Sequence, residues 1–353
     1  MSFDPRQEDY QRLALRFASQ LDEQNPSDAA HAFSDFGRRY ALERDKLPQT
    51  NSDRAFHLVV KATSDIDYEL PFANSENAAK LVTHASKLLD EAISIDHNCY
   101  DAIRMKESRR VAGFEPYFQF LLAGAEDVRK GCEELRSKVG TSLSVERAAL
   151  ARDIAMRPYL RWMGSLAEES LICGRNRFTI KVGEKLLEAD PADSADVRFT
   201  MALAYAKLED EAGLDAFIAR ERAINPLRSF DDAWTQLARI ALAYKRRDFP
   251  AAREQILQLV TTYNGFAAAL IHQVEIPDGV FSRLDATPYS EDELLLALSE
   301  GTVLLQEGYG ESGRGSLGTW LANTASELYP EAAREARELN TVFPNGPLGG
   351  DAQ

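Results

Sequence analysis

Apolar residues recur along this chain at helical spacing, with no sustained two-residue alternation. In the stretch 157–193, Leu160, Met163, Leu166, Ala167 and Leu171 fall at offsets of 0, 3, 6, 7 and 11, one face of an α-helix. The pattern predicts that this helix begins near Pro158, because a first turn tolerates the missing proline N–H. Gly174 suits the left-handed residue that ends a helix. A second helix follows, with Phe178, Val182, Leu186 and Ala189 on one face. Asp190-Pro191 stops it, since proline disfavours helix in the residue before it. Two helices joined by so short a turn lie antiparallel, and each carries an apolar stripe that it cannot bury alone.

The unit recurs. Val197, Met201, Tyr205 and Leu208 form the next stripe, and Leu214, Phe217 and Ile218 its partner. Asn225-Pro226 closes this pair, 35 residues after Asp190-Pro191. A third pair carries Trp234, Leu237, Ala238 and Tyr244, then Phe249, Ala252, Ile256 and Leu259. At a shift of 71 residues, Met163 aligns with Trp234, Leu166 with Leu237, Ala167 with Ala238 and Phe178 with Phe249. A shift near twice 35 is the mark of stacked supersecondary units.

This pattern resembles the tetratricopeptide repeat: a large residue, Leu and a small residue, a turn, a second helix, and a closing Pro near a 34-residue period. Ala167 and Ala238 stand at its small packing positions. Ala85, Leu89 and Ala92 followed by Asp96-His97 look like the second half of an earlier unit, with His97 in the Pro position. Thr179 and Gly183 depart from the small and aromatic residues expected in the second helix. The order of Ala85 to Ile103, Gly131, Arg157 to Arg161 and Gly174-Arg175 also resembles the divergent repeat proteins of the suppressor-of-tumorigenicity type and their bacterial relatives, over about residues 80 to 265. That resemblance implies a helical scaffold and no established activity.

Outside the repeats, residues 5 to 67 read as three helices, broken at Asn25-Pro26 and Lys46-Leu47-Pro48, and residues 68 to 75 as a linker. Residues 112 to 142 read as one long helix between Gly113 and Gly140. Ile276-Pro277-Asp278-Gly279 reads as a turn, Ser290 with its following acids as a helix start, and 316–327 and 329–342 as helices before a fraying tail. The expected fold is all-α: a divergent tetratricopeptide-like helical-hairpin solenoid with extra terminal helices. Its parts are an N-terminal helical segment (1–75), the repeats (76–265) and an acidic helical cap with a tail (266–353).

Charge narrows the function. The formal net charge is −15, which argues against a nucleic-acid binder, since that needs a basic face. Residues 265–353 hold four Arg, no Lys and fourteen acids, a balance of −10; this is a solvated acidic surface or a dock for a basic partner. No apolar run approaches the roughly 20 residues of a membrane span, and the first residues carry acid rather than a secretory apolar core. Cys99, Cys132 and Cys173 form no CxxC. They read as buried apolar residues in a reducing compartment, so the expected location is cytoplasmic, with no metal and no cofactor.

Chemical motifs are weak. Gly308 to Gly313 spells GxGxxG, but the segment before it reads as helix, no second strand follows, and no Lys-Ser/Thr completes a phosphate loop. The five histidines are scattered and no Gly-x-Ser-x-Gly occurs. The sharper cluster is Arg157, Tyr159, Arg161 and Trp162, where the two arginines share a helical face. Arg forks recognise carboxylates, and Tyr and Trp anchor interfaces. The competing expectation pairs these arginines with Asp153, Glu168 or Glu169. The function expected is a non-enzymatic scaffold that binds a peptide or protein in a concave groove, through Arg157, Tyr159, Arg161, Trp162, Arg198, Tyr205 and Trp234. A small-molecule or nucleotide site at the Gly308–Gly318 loop, and self-assembly into homo-oligomers through apolar repeat ends, are the alternatives.

Overall fold

The computed structural model describes residues 4–19, 26–140, 143–276, 286–308 and 313–342. Among these the chain is all-helical, with seventeen α-helices and no strand. It divides into two compact units, one of residues 1–169 with 188–195 and one of residues 170–187 with 196–353.

The first unit contains α1 (Pro5–Ala18), α2 (Pro26–Glu43), α3 (Asn51–Thr63), α4 (Ser75–Ile95), α5 (Tyr100–Arg110), α6 (Phe114–Ser137) and most of α7 (Val145–Ile172). The starts follow local chemistry. The Asp4 carboxylate accepts from the N–H groups of Arg6 and Gln7 before Pro5 opens α1. Thr50 and Asp53 cap α3 reciprocally. Residues 68–75, expected as a linker, instead fall largely in a π-turn (Ser64–Glu69) and a 3₁₀ turn (Leu70–Phe72) that lead into α4. The core joins Ala55, Phe56 and Val59 of α3 to Ala85, Leu89 and Ala92 of α4. A second cluster seats Leu13 of α1 on Phe36 and Leu47, with Phe17 stacked on Phe36.

Helix α7 differs from its expected start. It runs from Val145, so Pro158 lies in its interior rather than in its first turn. Proline there removes one i→i−4 hydrogen bond. The helix continues because its apolar face is buried: Leu160, Met163, Leu166, Ala167 and Leu171 are all covered. Helix α6 meets its neighbours through two glycines seven residues apart. The Trp162 ring lies where a Cβ on Gly124 would fall, and the Tyr100 hydroxyl where one on Gly131 would fall.

The second unit contains most of α8 (Asn176–Ala189), α9 (Val197–Lys207), α10 (Glu211–Ile224), α11 (Ala233–Lys245), α12 (Phe249–Thr262), α13 (Ala267–His272), α14 (Glu291–Glu300), α15 (Thr302–Leu305), α16 (Ser316–Leu328) and α17 (Pro330–Val342). Helix α9 packs on α10 and α11, and α11 packs on α12. Both α9 and α11 are apolar around most of their circumference and are covered again by the C-terminal helices, α15 on α9 and α14 on α11. The turn expected at Ile276–Gly279 and the tail beyond 342 lie outside the described residues, apart from Ile276.

One turn recurs. Gly174, Glu209 and Arg247 each adopt a left-handed φ, of 72°, 58° and 63°. The N–H of the next residue bonds back five positions: Arg175 to Ser170, Asp210 to Tyr205 and Asp248 to Ala243, at 2.8, 3.0 and 2.9 Å. This is a Schellman closure. A second device recurs at the other helix ends. The side chains of Asp96, Asp190 and Asn225 accept from the N–H two residues on, and their carbonyls from the N–H three residues on. The residue after each is His97, Pro191 or Pro226.

Departures from the repeat pattern have packing reasons. Thr179 is fully buried and shares a 2.7 Å hydrogen bond with Ser170. Gly183 admits the Met201 thioether where a Cβ would stand.

Candidate functional site

The seven residues singled out by sequence fall in both units. In the first unit, Arg161 projects from α7 into a buried charge network. Its Nε and Nη2 donate to the two Asp101 oxygens at 2.7 and 2.6 Å, and its Nη1 donates to Glu8 Oε2 at 2.7 Å. Glu8, on α1, is wholly buried and also accepts from Arg12 Nη2 at 2.7 Å. Arg157 donates to Asp153 at 2.7 and 3.0 Å and to Gln11 at 2.8 Å, and approaches Glu8 at 3.6 Å. The Asp153 pairing was one of the expected competitors; Glu8 and Asp101 were not foreseen. The Arg12 guanidinium lies over the Phe56 ring at 4.2 Å.

Electrostatics explain why these charges stay ionised. Burial, the largest single influence, raises the Glu8 and Asp101 carboxyls, but the charge and hydrogen bonds of Arg161 together with the charge of Arg12 outweigh it, and both end below the usual carboxylate range. Burial alone weakens the Arg161 cation, but Asp101 and Glu8 outweigh it and push its pKa up. Removing one partner would strand the other in a low-dielectric interior. Trp162 is 2% exposed and its Nε1 donates to the Leu121 carbonyl at 2.8 Å. Tyr159 is half-buried, and burial raises its hydroxyl pKa.

In the second unit, Trp234 is 1% exposed, stacks on Phe199 at 4.1 Å and donates from Nε1 to Glu300 at 2.7 Å. Arg198 lies over the Phe199 ring at 4.0 Å and pairs with Asp196 at 3.0 Å. Tyr205 is buried beside Phe217. Trp162, Tyr205 and Trp234 therefore fill interiors in the described structure.

At the Gly308–Gly318 loop, residues 309–312 lie outside the described residues. Of the flanking glycines, Gly308 and Gly313 have left-handed φ. Gly315 and Gly318 sit where a Cβ would strike the backbone of Glu307 and Leu305. Their lack of a side chain lets α16 approach the end of α15, a packing reason for glycine there. No group of three or more His, Cys, Asp or Glu that would hold a metal ion occurs among the described residues, and no described helix is long and apolar enough to cross a membrane.

Sequence reasoning missed a polar cleft in the first unit, between the Arg44–Gln49 turn, α3 and α4. It has room for about 610 Å³. Arg54, His57 and Lys61 line it from α3. Their i, i+3, i+7 spacing, which places them on one helical face, was the signal available. Comparison with family models, with curated proteins and with solved structures finds no match.

Proposed function

We propose that this protein is a non-enzymatic, tetratricopeptide-like helical-repeat scaffold that binds a peptide or protein partner. The observation that carries this reading is the recurrence of two turns. The same Schellman closure stands at Gly174, Glu209 and Arg247, and the same side-chain-capped exit at Asp96, Asp190 and Asn225. Equivalent turns joining equivalent helix pairs support repeated units, and such units commonly present surfaces for macromolecules.

Within this reading the candidate residues separate by accessibility. Trp162, Tyr205 and Trp234 hold helices together. Contact falls to half-buried Tyr159 on α7 and to the neighbouring Arg157–Asp153 pair, of which Asp153 is half exposed while Arg157 is mostly covered. The test is affinity capture of the full chain from its native extract with mass spectrometry, comparing the parent with Arg157→Ala and Tyr159→Ala. The expected outcome is a partner recovered by the parent and depleted by both variants while their circular-dichroism melts remain cooperative. Undiminished recovery would remove this contact surface. A nucleotide panel that raises the melting temperature through the Gly308–Gly318 loop would replace the scaffold reading with the ligand-binding one.

A further inference from the structure

The cleft on α3 has charges that the fold does not use. Arg44, at its edge, is 9% exposed and structural: it donates to both oxygens of buried Asp9, at 3.0 Å from Nε and 2.5 Å from Nη2. Asp45 is held between Arg44 and His57, 3.7 Å from each. His57 Nδ1 in turn lies 3.2 Å from Asp9. Arg54 and Lys61 are different. Both are exposed, both line the cleft, and neither has a carboxylate within ion-pair distance among the described residues. Glu91 faces them from α4 and is likewise unpaired.

Arg44 shares one charge between Asp9 and Asp45, so those three sum to −1 and, His57 aside, the cleft is balanced overall. Its exposed side chains without an ion-pair partner are nonetheless two cations and one acid, within a chain whose net charge is −15. An Arg fork and a Lys point charge are complementary to oxyanions. Leu47, Leu58 and Ile95 supply a small apolar wall. The space falls within the range of roughly 300–1,000 Å³ typical of metabolite sites. The α3 backbone that carries both cations is rigid: it is capped by Thr50 and Asp53, and its opposite face is the Ala55–Phe56–Val59 core.

We propose that this cleft binds a small oxyanion-bearing metabolite, a phosphate or carboxylate compound, with Arg54 and Lys61 taking its anionic oxygens and Glu91 limiting the charge it accepts. The site is independent of the scaffold reading, and losing either leaves the other standing.

The test titrates the full-length protein with inorganic phosphate and, separately, with citrate, at constant ionic strength, read by calorimetry and by backbone NMR shifts. Saturable binding of either probe, with shifts centred on 44–61 and 91–95, is expected. A phosphate-only or a citrate-only result assigns the class. In Arg54→Gln with Lys61→Gln, both exposed and therefore compatible with folding, affinity falls at least about tenfold. In Glu91→Gln it rises about twofold to fivefold. A matched charge control, Lys80→Gln with Lys87→Gln on α4, leaves affinity unchanged. Absence of saturation for both probes, or equal weakening in the matched control, overturns the proposal.

Discussion

Arg161 grips Asp101 through two parallel hydrogen bonds, Nε to Oδ1 at 2.7 Å and Nη2 to Oδ2 at 2.6 Å, although 60 residues separate them. The pair is buried and shared with Glu8, so α1, α5 and α7 meet at one ionic junction. Replacing Asp101 by Asn leaves a guanidinium with too little counter-charge in the interior. The expected loss of stability is about 3–5 kcal/mol, the range for breaking a buried pair from one side. Urea denaturation measures it, and a loss below about 1 kcal/mol would mean that solvent reaches the junction.

Acid acts with opposite signs on the carboxylates of α1 and α5 in the first unit and on those at the starts of α11 and α14 in the second. Burial by itself would raise Asp9, but His57 at 3.2 Å and hydrogen bonds from Arg44 and Tyr40 bring it down to about 2. Glu8 and Asp101 are lowered as well. A depressed folded pKa gives stability that is present above the unfolded value and lost as pH falls through the folded one. Asp9 alone is worth about 2 kcal/mol. In the second unit burial raises Asp232 and Glu293. Their contribution is full below the unfolded pKa and lost as pH rises through the raised values. Hydrogen exchange between about pH 4 and 2 is therefore expected to release α1 and α3 before α11 and α14. The reverse order would refute the assignment.

The glycines of α6 make room for aromatic rings. Gly124→Ala would drive a methyl into the Trp162 ring, which is buried and fixed by its bond to Leu121. A cost of about 1–3 kcal/mol is expected from overpacking, against a gain of about 1 kcal/mol in helix propensity. Gly131→Ala meets half-buried Tyr100 and should cost less. Adding Tyr100→Phe to Gly131→Ala should recover part of the loss, because the hydroxyl is the nearest atom. Thermal denaturation of the three variants decides it, and no recovery in the double variant would place the strain elsewhere.

The recurring turn predicts gains. Glu209 and Arg247 hold the left-handed conformation that Gly174 holds without strain. Glu209→Gly and Arg247→Gly should each add about 0.5–1 kcal/mol, the relief of left-handed strain less the extra unfolded-chain entropy of glycine. Gly174→Ala should cost about 1 kcal/mol. Guanidinium denaturation separates the three, and destabilisation by both glycine variants would show that the Glu209 and Arg247 side chains matter more than their backbone.

The parts legible in sequence were those governed by neighbours in the chain. Helical periodicity, Asp-Pro and Asn-Pro exits, the Gly174 turn and the Ser290 start all rest on contacts within a few residues, and the structure places helices and turns there. Pro158 was misread because a local rule favours proline at a first turn, whereas the buried stripe of α7 holds a helix that begins at Val145. The cleft was missed because its walls come from three segments and only their assembly makes a concavity.

The sequence by itself determined an all-helical chain and the residue types on each helical face, because period and capping are local properties. Tertiary structure alone decided what those faces meet. Arg161 is matched by Glu8 from 153 residues away and by Asp101 from 60, and Trp234 by Glu300 from 66. No local pattern encodes such partners, since a guanidinium accepts any carboxylate that folding brings within about 3 Å, and packing selects which one arrives.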